Sequence, residues 1–163
     1  MFGDVEARTA GRVRENWEKL KVEQEAREGV FHDVPETLPA LLGARKVQRR
    51  AAAVGFDYPD VAGALADLDA ELVELRAEIR GEPEPEHEPD RRVAAELGDV
   101  LFACVNVARR LNVDPELELR AATARFRRRV EVAEELAGTD GRAWRELPLV
   151  EQDAYFDRAK ESA

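Results

Sequence analysis

Four carboxylates follow one another along one predicted helical face in the middle of the chain. They are spaced four, three and four residues apart and therefore share one side of a helix: Asp67, Glu71, Glu74 and Glu78. None of these acids has a Lys or Arg three or four residues further on, although solvated helical faces usually carry such partners. Like-charged neighbours at this spacing repel unless a cation lies among them, so this stripe of acids predicts a divalent metal site.

A second pair of acids, Glu96 and Asp99, lies three residues apart in the next predicted helix. If the two helices pack antiparallel, Glu71 and Glu74 face this pair. The four side chains then offer only oxygen ligands, which is the donor set that Mg²⁺ prefers, with Mn²⁺ as the other candidate. Spacing alone leaves this metal site and an ordinary solvated acidic face equally open.

Basic residues form two groups that could bind anions. Arg125, Arg128 and Arg129 lie within one turn of a later predicted helix, and guanidinium groups bind phosphate oxygens in a planar, bidentate way. Ion pairing with Glu131 in the same helix is the alternative for two of these arginines. An earlier predicted helix carries a basic face in this acidic protein, formed by Arg45, Lys46, Arg49 and Arg50. Phosphoryl transfer requires metal and cationic groups together, so the acids and the arginines form a coherent pair.

Helices must position these side chains. Aromatic residues make up 6% of the 163 residues, and Ala, Leu, Glu and Arg dominate, which predicts an all-α fold. Apolar periodicity and capping residues predict six helices, at 10–27, 40–54, 61–79, 91–111, 115–138 and 149–160. Residues 81–90, GEPEPEHEPD, are predicted to form an exposed acidic, proline-rich loop. We expect a tail at 1–9 and one domain at 10–163.

Composition also excludes several classes of partner. The net charge of -10 disfavours binding to nucleic acid or to an anionic membrane. No stretch has the roughly 20 apolar residues of a membrane span, and the beginning, MFGDVEARTAGR, lacks the apolar segment of a secretory signal, so we expect a cytoplasmic protein. The single cysteine, Cys104, lies in an apolar helical run, where we expect a buried, reduced thiol.

Five ordered blocks of sequence resemble the MazG nucleoside triphosphate pyrophosphohydrolases, from about residue 17 to residue 160: WEKLK, LPALLGARKVQRRAAAVGFDY, AELVELRAEI, AELGDVLFACVNVARRLNVDPELELR and ARFRRRVE. The resemblance implies an all-α helical bundle completed by dimerisation. It also implies Mg²⁺-dependent hydrolysis of nucleoside triphosphates to monophosphate and pyrophosphate, with broad base tolerance and a housekeeping role in the nucleotide pool. Larger relatives carry two such domains, and this chain looks like the second one alone.

The motif of the family, a glutamate-rich block followed by ExxD, assigns roles by position. By resemblance, the metal-binding and catalytic carboxylates fall on Glu71, Glu74, Glu96 and Asp99. Cationic positions of the family that contact phosphate fall on Arg92, Arg125 and Arg129. Lys46 is a further candidate for neutralising the phosphates, and Phe156 falls near a tryptophan that packs on the base.

Three positions depart from the family pattern. The first glutamate of the acidic block is Ala70, a lysine one turn earlier is Asp67, and an asparagine near the arginines is Thr123. Loss of the carboxylate at Ala70 supports a second hypothesis, a catalytically weakened domain that binds nucleotide and metal for regulation, although Asp67 or Glu78 is a candidate substitute. A third hypothesis is a structural helical dimerisation module, whose stability neither metal nor nucleotide changes.

Overall fold

The computed structural model describes residues 29–79, Gly81 and residues 90–161. In these ranges the chain has no strand and forms five α-helices and one short 3-10 helix: α1 (Ala40–Ala53), α2 (Val61–Glu78), α3 (Arg91–Arg110), α4 (Pro115–Thr139), the 3-10 helix Trp144–Glu146 and α5 (Leu149–Glu161). The predicted all-α class is therefore confirmed. The predicted tail at 1–9, the helix predicted at 10–27 and most of the loop at 81–90 lie outside the described residues. None of the described helices combines the length and apolarity needed to cross a membrane.

Aspartates cap the beginnings of three helices. Asp60 before α2, Asp90 before α3 and Asp114 before α4 each accept a hydrogen bond from a backbone amide two or three residues further on, at 2.8, 2.9 and 3.1 Å respectively. Amides in the first turn of a helix have no carbonyl partner within the helix, so each cap satisfies a group that would otherwise need water. All three starts agree with the positions predicted from the sequence.

Helices α2 and α3 pack side by side and run antiparallel, while α1 packs against α3. At one end, Arg92 near the start of α3 lies 3.9 Å from Glu78, the last residue of α2. At the other end, Arg109 near the end of α3 forms an ion pair with Asp57, which precedes α2. This antiparallel arrangement is the one that the predicted metal site requires.

The basic face predicted on α1 is not a solvent-exposed face, because packing buries two of its four cations. Arg50 is fully buried and forms an ion pair with Asp33 in the segment before α1. Arg45 is 8% exposed and donates a hydrogen bond of 2.8 Å to Asp114. These cations therefore tie α1 to the segment before it and to the residue that caps α4, and buried charges of this kind require such partners.

Helix α3 exposes one row of apolar side chains. Leu97 and Leu101 are 48% and 53% exposed, and Cys104, three residues further on, is exposed as well. The expectation that Cys104 is buried is therefore wrong, because α3 packs through the neighbouring face, where Val100 and Ala103 are buried. An apolar repeat defines one side of a helix, but only packing decides how much of that side is covered.

The structure divides into two compact units between Glu116 and Leu117. In the second unit five buried residues form a hydrophobic cluster: Ala133, Ala137, Leu147, Tyr155 and Ala159. Trp144 and Phe156 pack against this cluster. The single domain predicted at 10–163 stays a prediction.

Candidate metal centre

Three of the four predicted metal ligands converge in the first unit. Glu71 of α2 and Glu96 and Asp99 of α3 each place one carboxylate oxygen within 4.8 Å of the others. The two glutamates are half-buried and the aspartate is exposed. Residues three apart on a helix share a face, so the pair on α3 meets α2 together once the two helices pack antiparallel.

Glu74, the fourth predicted ligand, is exposed on α2 one turn beyond Glu71. Within the described part of the chain, the group of three converging oxygens does not include Glu74. Its charge nevertheless raises the pKa of Glu71. Its role as a ligand stays a prediction.

Negative charge accumulates around Glu71 and raises its pKa. Burial is the largest cause of this rise, and the charges of Glu74, Asp99, Asp67 and Glu96 add to it in that order. Both effects disfavour the ionised carboxylate. A divalent cation among these oxygens would replace repulsion by attraction, and carboxylate oxygens are the donors that Mg²⁺ takes from proteins. The donor set therefore fits an oxygen-preferring divalent ion.

Asp67, the first carboxylate of the acidic stripe, accepts a hydrogen bond that the helical spacing does not predict. The hydroxyl of Tyr58 donates to Oδ1 of Asp67 at 2.6 Å. Tyr58 lies in the connection between α1 and α2, nine residues before its acceptor, so no helical period relates the two. This hydrogen bond, followed by burial and the charges of Asp67 and Glu71, raises the pKa of Tyr58. The hydroxyl therefore keeps its proton and remains a donor.

The structure places two of the predicted phosphate-binding cations in different surroundings. The Arg92 side chain is 72% exposed and approaches Glu78 at 3.9 Å. Lys46 donates a hydrogen bond to the carbonyl oxygen of Asp33 and lies 3.4 Å from its carboxylate. Lys46 therefore stabilises the segment before α1, and its role in substrate binding stays a prediction.

The predicted arginines of α4 belong to the second unit. Arg125 and Arg128 are exposed and Arg129 is half-buried. In the described residues the partner of Glu131 is Arg127, at 3.2 Å, rather than either of the two arginines expected from the sequence. Arg127 precedes Glu131 by four residues, and this spacing brings the two side chains together on one face of the helix.

Phe156, the predicted base-stacking residue, also lies in the second unit and is half-buried. Its ring centre lies 5.6 Å from that of Phe126, at an interplanar angle of 49°. The ammonium group of Lys160 lies 5.0 Å from the same ring centre. Both contacts have favourable geometry for an aromatic ring, so Phe156 contributes to the packing of the second unit. Its predicted role in base stacking stays a prediction.

No family model matches the chain. The nucleoside triphosphate pyrophosphohydrolase/pyrophosphatase MazG of Thermotoga maritima is 36% identical over 162 residues, which are 98% of this chain and 58% of that protein. The nucleoside triphosphate pyrophosphohydrolase of Escherichia coli (strain K12) is 31% identical over 163 residues, 98% of this chain and 60% of that protein. Protein YabN of Bacillus subtilis is 37% identical over 164 residues, 99% of this chain and 32% of that protein. The chain thus spans less than two thirds of each of these relatives.

Proposed function

Because likeness over nearly its whole length places the chain in the MazG family, we propose that it hydrolyses nucleoside triphosphates to nucleoside monophosphate and pyrophosphate. The names of the relatives supply the reaction. The observation that carries the proposal in this chain is the convergence of Glu71, Glu96 and Asp99. Phosphoryl transfer depends on positioning and on charge stabilisation around the phosphate oxygens, and a group of oxygen ligands provides a place for the cation that does this.

We propose that Glu71, Glu96 and Asp99, with Glu74 from the same stripe, hold Mg²⁺ or Mn²⁺. When bound, such an ion supplies Lewis acidity and positive charge to the triphosphate. The contribution of the chain is to keep these carboxylates close together on two packed helices. Ligands that are fixed in this way need little rearrangement when the substrate reacts.

Four side chains are proposed to contact the substrate on grounds of resemblance: Arg92, Arg125, Arg129 and Phe156. Lys46 is proposed as a further cation that neutralises the phosphates. Broad base tolerance follows from the proposal, because charge contacts to phosphates and stacking on a ring do not distinguish base edges as hydrogen bonds do. We also propose that the protein has a housekeeping role in the cytoplasmic nucleotide pool.

We propose a homodimer as the working form. The exposed row on α3, Leu97, Leu101 and Cys104, supports this proposal because a second copy would remove apolar surface from water. The half-exposed leucines lie one helical turn apart and so form a continuous strip rather than scattered contacts.

The second candidate function is binding without turnover, and Ala70 is the observation that favours it. By resemblance this position carries a carboxylate in the family, whereas Ala70 has no ionisable group. A domain of this kind would bind metal and nucleotide and release no product. The acids of the stripe that remain, including Asp67 and Glu78, are the alternative source of the missing charge.

The test measures pyrophosphate release from a panel of nucleoside triphosphates, with and without Mg²⁺, by the wild type and by Asp99→Asn. We expect metal-dependent release that falls by about 100-fold or more in the variant, because losing a ligand removes several kcal/mol of charge stabilisation. Asp69→Asn is the matched control, since Asp69 is exposed on α2 outside the stripe and the substitution changes the charge equally.

Three outcomes separate the candidates. Metal-dependent release that only Asp99→Asn abolishes supports the hydrolase. No release from any nucleotide, with a melting temperature that nucleotide and Mg²⁺ together still raise, supports binding alone. No release and no change in melting temperature would leave the structural module.

A further inference from the structure

The connection between α1 and α2 is fixed to the far end of α3. Asp57 accepts hydrogen bonds from Arg109 and Arg110, each with a donor at 3.1 Å. Arg110 also donates to the carbonyl oxygen of Pro59 at 2.9 Å. Burial alone would raise the pKa of Asp57, but the hydrogen bond and charge of Arg109 and the charge of Arg110 outweigh burial and lower it. The residues on both sides of Tyr58 are therefore held by α3.

The ring of Tyr58 packs over Gly63 in the first turn of α2. A Cβ atom at Gly63 would lie 3.2 Å from Cδ1 and 3.3 Å from Cβ of Tyr58, which is closer than ordinary van der Waals contact. The absence of a side chain at this position therefore leaves room for the ring. From there the hydroxyl reaches Asp67, one turn further along α2.

Asp67 lies four residues before Glu71, and the two carboxylates repel each other. An unrestrained aspartate at this position would turn its charge away into water. The hydroxyl of Tyr58 is a neutral donor that engages Oδ1 and leaves Oδ2 of the same carboxylate available. The hydrogen bond thus keeps the negative charge of Asp67 near Glu71, although charge repulsion would otherwise move it away.

We propose that Tyr58 is a positioning residue that holds Asp67 beside Glu71 as an additional carboxylate of the metal centre. This inference rests on the proposed function, because it assigns Tyr58 a role at the same site. Partners that orient a carboxylate near a metal typically change its affinity for the ion, whereas a residue that only pins a connection changes stability alone. The two roles are therefore separable by measurement.

The experiment measures Mn²⁺ affinity of the whole chain by calorimetry without nucleotide. We expect Tyr58→Phe, which keeps the ring and removes the hydroxyl, to weaken Mn²⁺ binding by about 3- to 10-fold, the value of one hydrogen bond. Asp67→Asn should weaken binding at least as much. The double variant should bind no more weakly than Asp67→Asn alone, because the hydroxyl acts only through this carboxylate.

Gly63→Ala provides a second variant that disturbs the same contact from the other side. Its Cβ displaces the ring of Tyr58, so Mn²⁺ binding should weaken, although alanine favours the helix over glycine and by itself would stabilise α2. Tyr155→Phe is the matched control. Tyr155 also lies beside an aspartate, Asp140 in the second unit. Burial and this aspartate raise the pKa of its hydroxyl, as Asp67 and burial do at Tyr58, and loss of this hydroxyl should leave Mn²⁺ affinity unchanged.

The outcomes distinguish this inference from the proposed function. If the wild type binds Mn²⁺ and Tyr58→Phe binds it equally tightly, with or without a lower melting temperature, the positioning role is wrong and the metal centre stands. An additional loss from Tyr58→Phe in the Asp67→Asn background would also overturn it, because the hydroxyl would then act elsewhere. If the wild type binds no Mn²⁺, the metal centre and the inference both fail.

Discussion

Glu71 lies among other carboxylates, whereas Asp33 lies beside two cations. Burial raises the pKa of both acids, but at Glu71 the neighbouring charges add to the rise. At Asp33 the hydrogen bond and charge of Arg50, with the charge of Lys46, outweigh burial and lower the pKa to about 2. The two acids therefore differ in their neighbours. Asp33 is balanced by two cations of the chain, whereas Glu71 lies among carboxylates and would gain from a bound cation.

Asp33→Asn should reduce the acid sensitivity of the fold. The pKa of Asp33 is about 2 in the native state and 3.8 as its ordinary value, so between these values the unfolded chain binds the proton more readily. Stability from this group is therefore complete above about pH 4 and is lost as the pH falls towards about 2. Denaturant titrations from about pH 5 to about pH 3 should show a smaller loss for the variant than for the wild type. Equal losses would contradict the prediction, and Asp69→Asn should behave like the wild type.

Glu71→Gln should stabilise the metal-free protein and remove its response to metal. The substitution deletes one charge from a group of like charges, so the melting temperature in EDTA should rise. Mg²⁺ should then raise the melting temperature of the wild type and not that of the variant. Glu134→Gln, at an exposed position of α4, should leave both values unchanged. A variant that remains unchanged in EDTA and still responds to Mg²⁺ would exclude Glu71 as a ligand.

At the scale of the elements, the sequence was sufficient wherever an interaction is local. A capping bond joins residues two or three apart, so Asp60 and Asp90 could be recognised as helix starts before any packing was known. The acidic stripe followed from helical spacing for the same reason. The contact of Tyr58 with Asp67 and the exposure of Cys104 depend on how the connection and the helices pack, and no local spacing encodes that.

Asp114→Ala should destabilise the protein more than Asp60→Ala, although both remove a cap. Loss of a cap alone costs about 1 kcal/mol, which is the value expected for Asp60. Asp114 also accepts a hydrogen bond from the buried Arg45, 69 residues away, so its loss leaves a buried guanidinium without that partner. We expect a total of about 2–4 kcal/mol from denaturant unfolding. Equal effects of the two variants would show that Arg45 gains nothing from this ion pair.

At the scale of the whole molecule, the buried apolar side chains of the described residues are few and mostly small. In the first unit they are Ala64, Val100, Ala103 and Val105, whereas larger side chains such as Leu97 remain about half exposed. Small domains bury a limited fraction of their surface, and association with a second copy is a common remedy. The proposed homodimer would therefore bury apolar surface that the first unit leaves exposed, and the resemblance implies it as well.

Leu101→Lys should convert the dimer into a monomer. The substitution places a charge in the middle of the exposed row of α3, where a second copy would have to desolvate it. Light scattering after size-exclusion chromatography should give about twice the chain mass of 18.3 kDa for the wild type and a single chain mass for the variant. Leu149→Lys, at a 75% exposed position of α5, is the control and should remain dimeric. A monomeric wild type would contradict the proposal.

The exposed row also contains a reactive group, since Cys104 is the only cysteine of the chain and its side chain reaches solvent. A thiol that a second copy covers is alkylated slowly, and its rate of modification increases on dilution as the copies separate. A thiol on an uncovered helix reacts at a rate independent of protein concentration, because no separation of copies has to precede the attack by its thiolate. The alkylation rate of Cys104, measured at several protein concentrations, thus reports the assembly state of the native, unsubstituted chain.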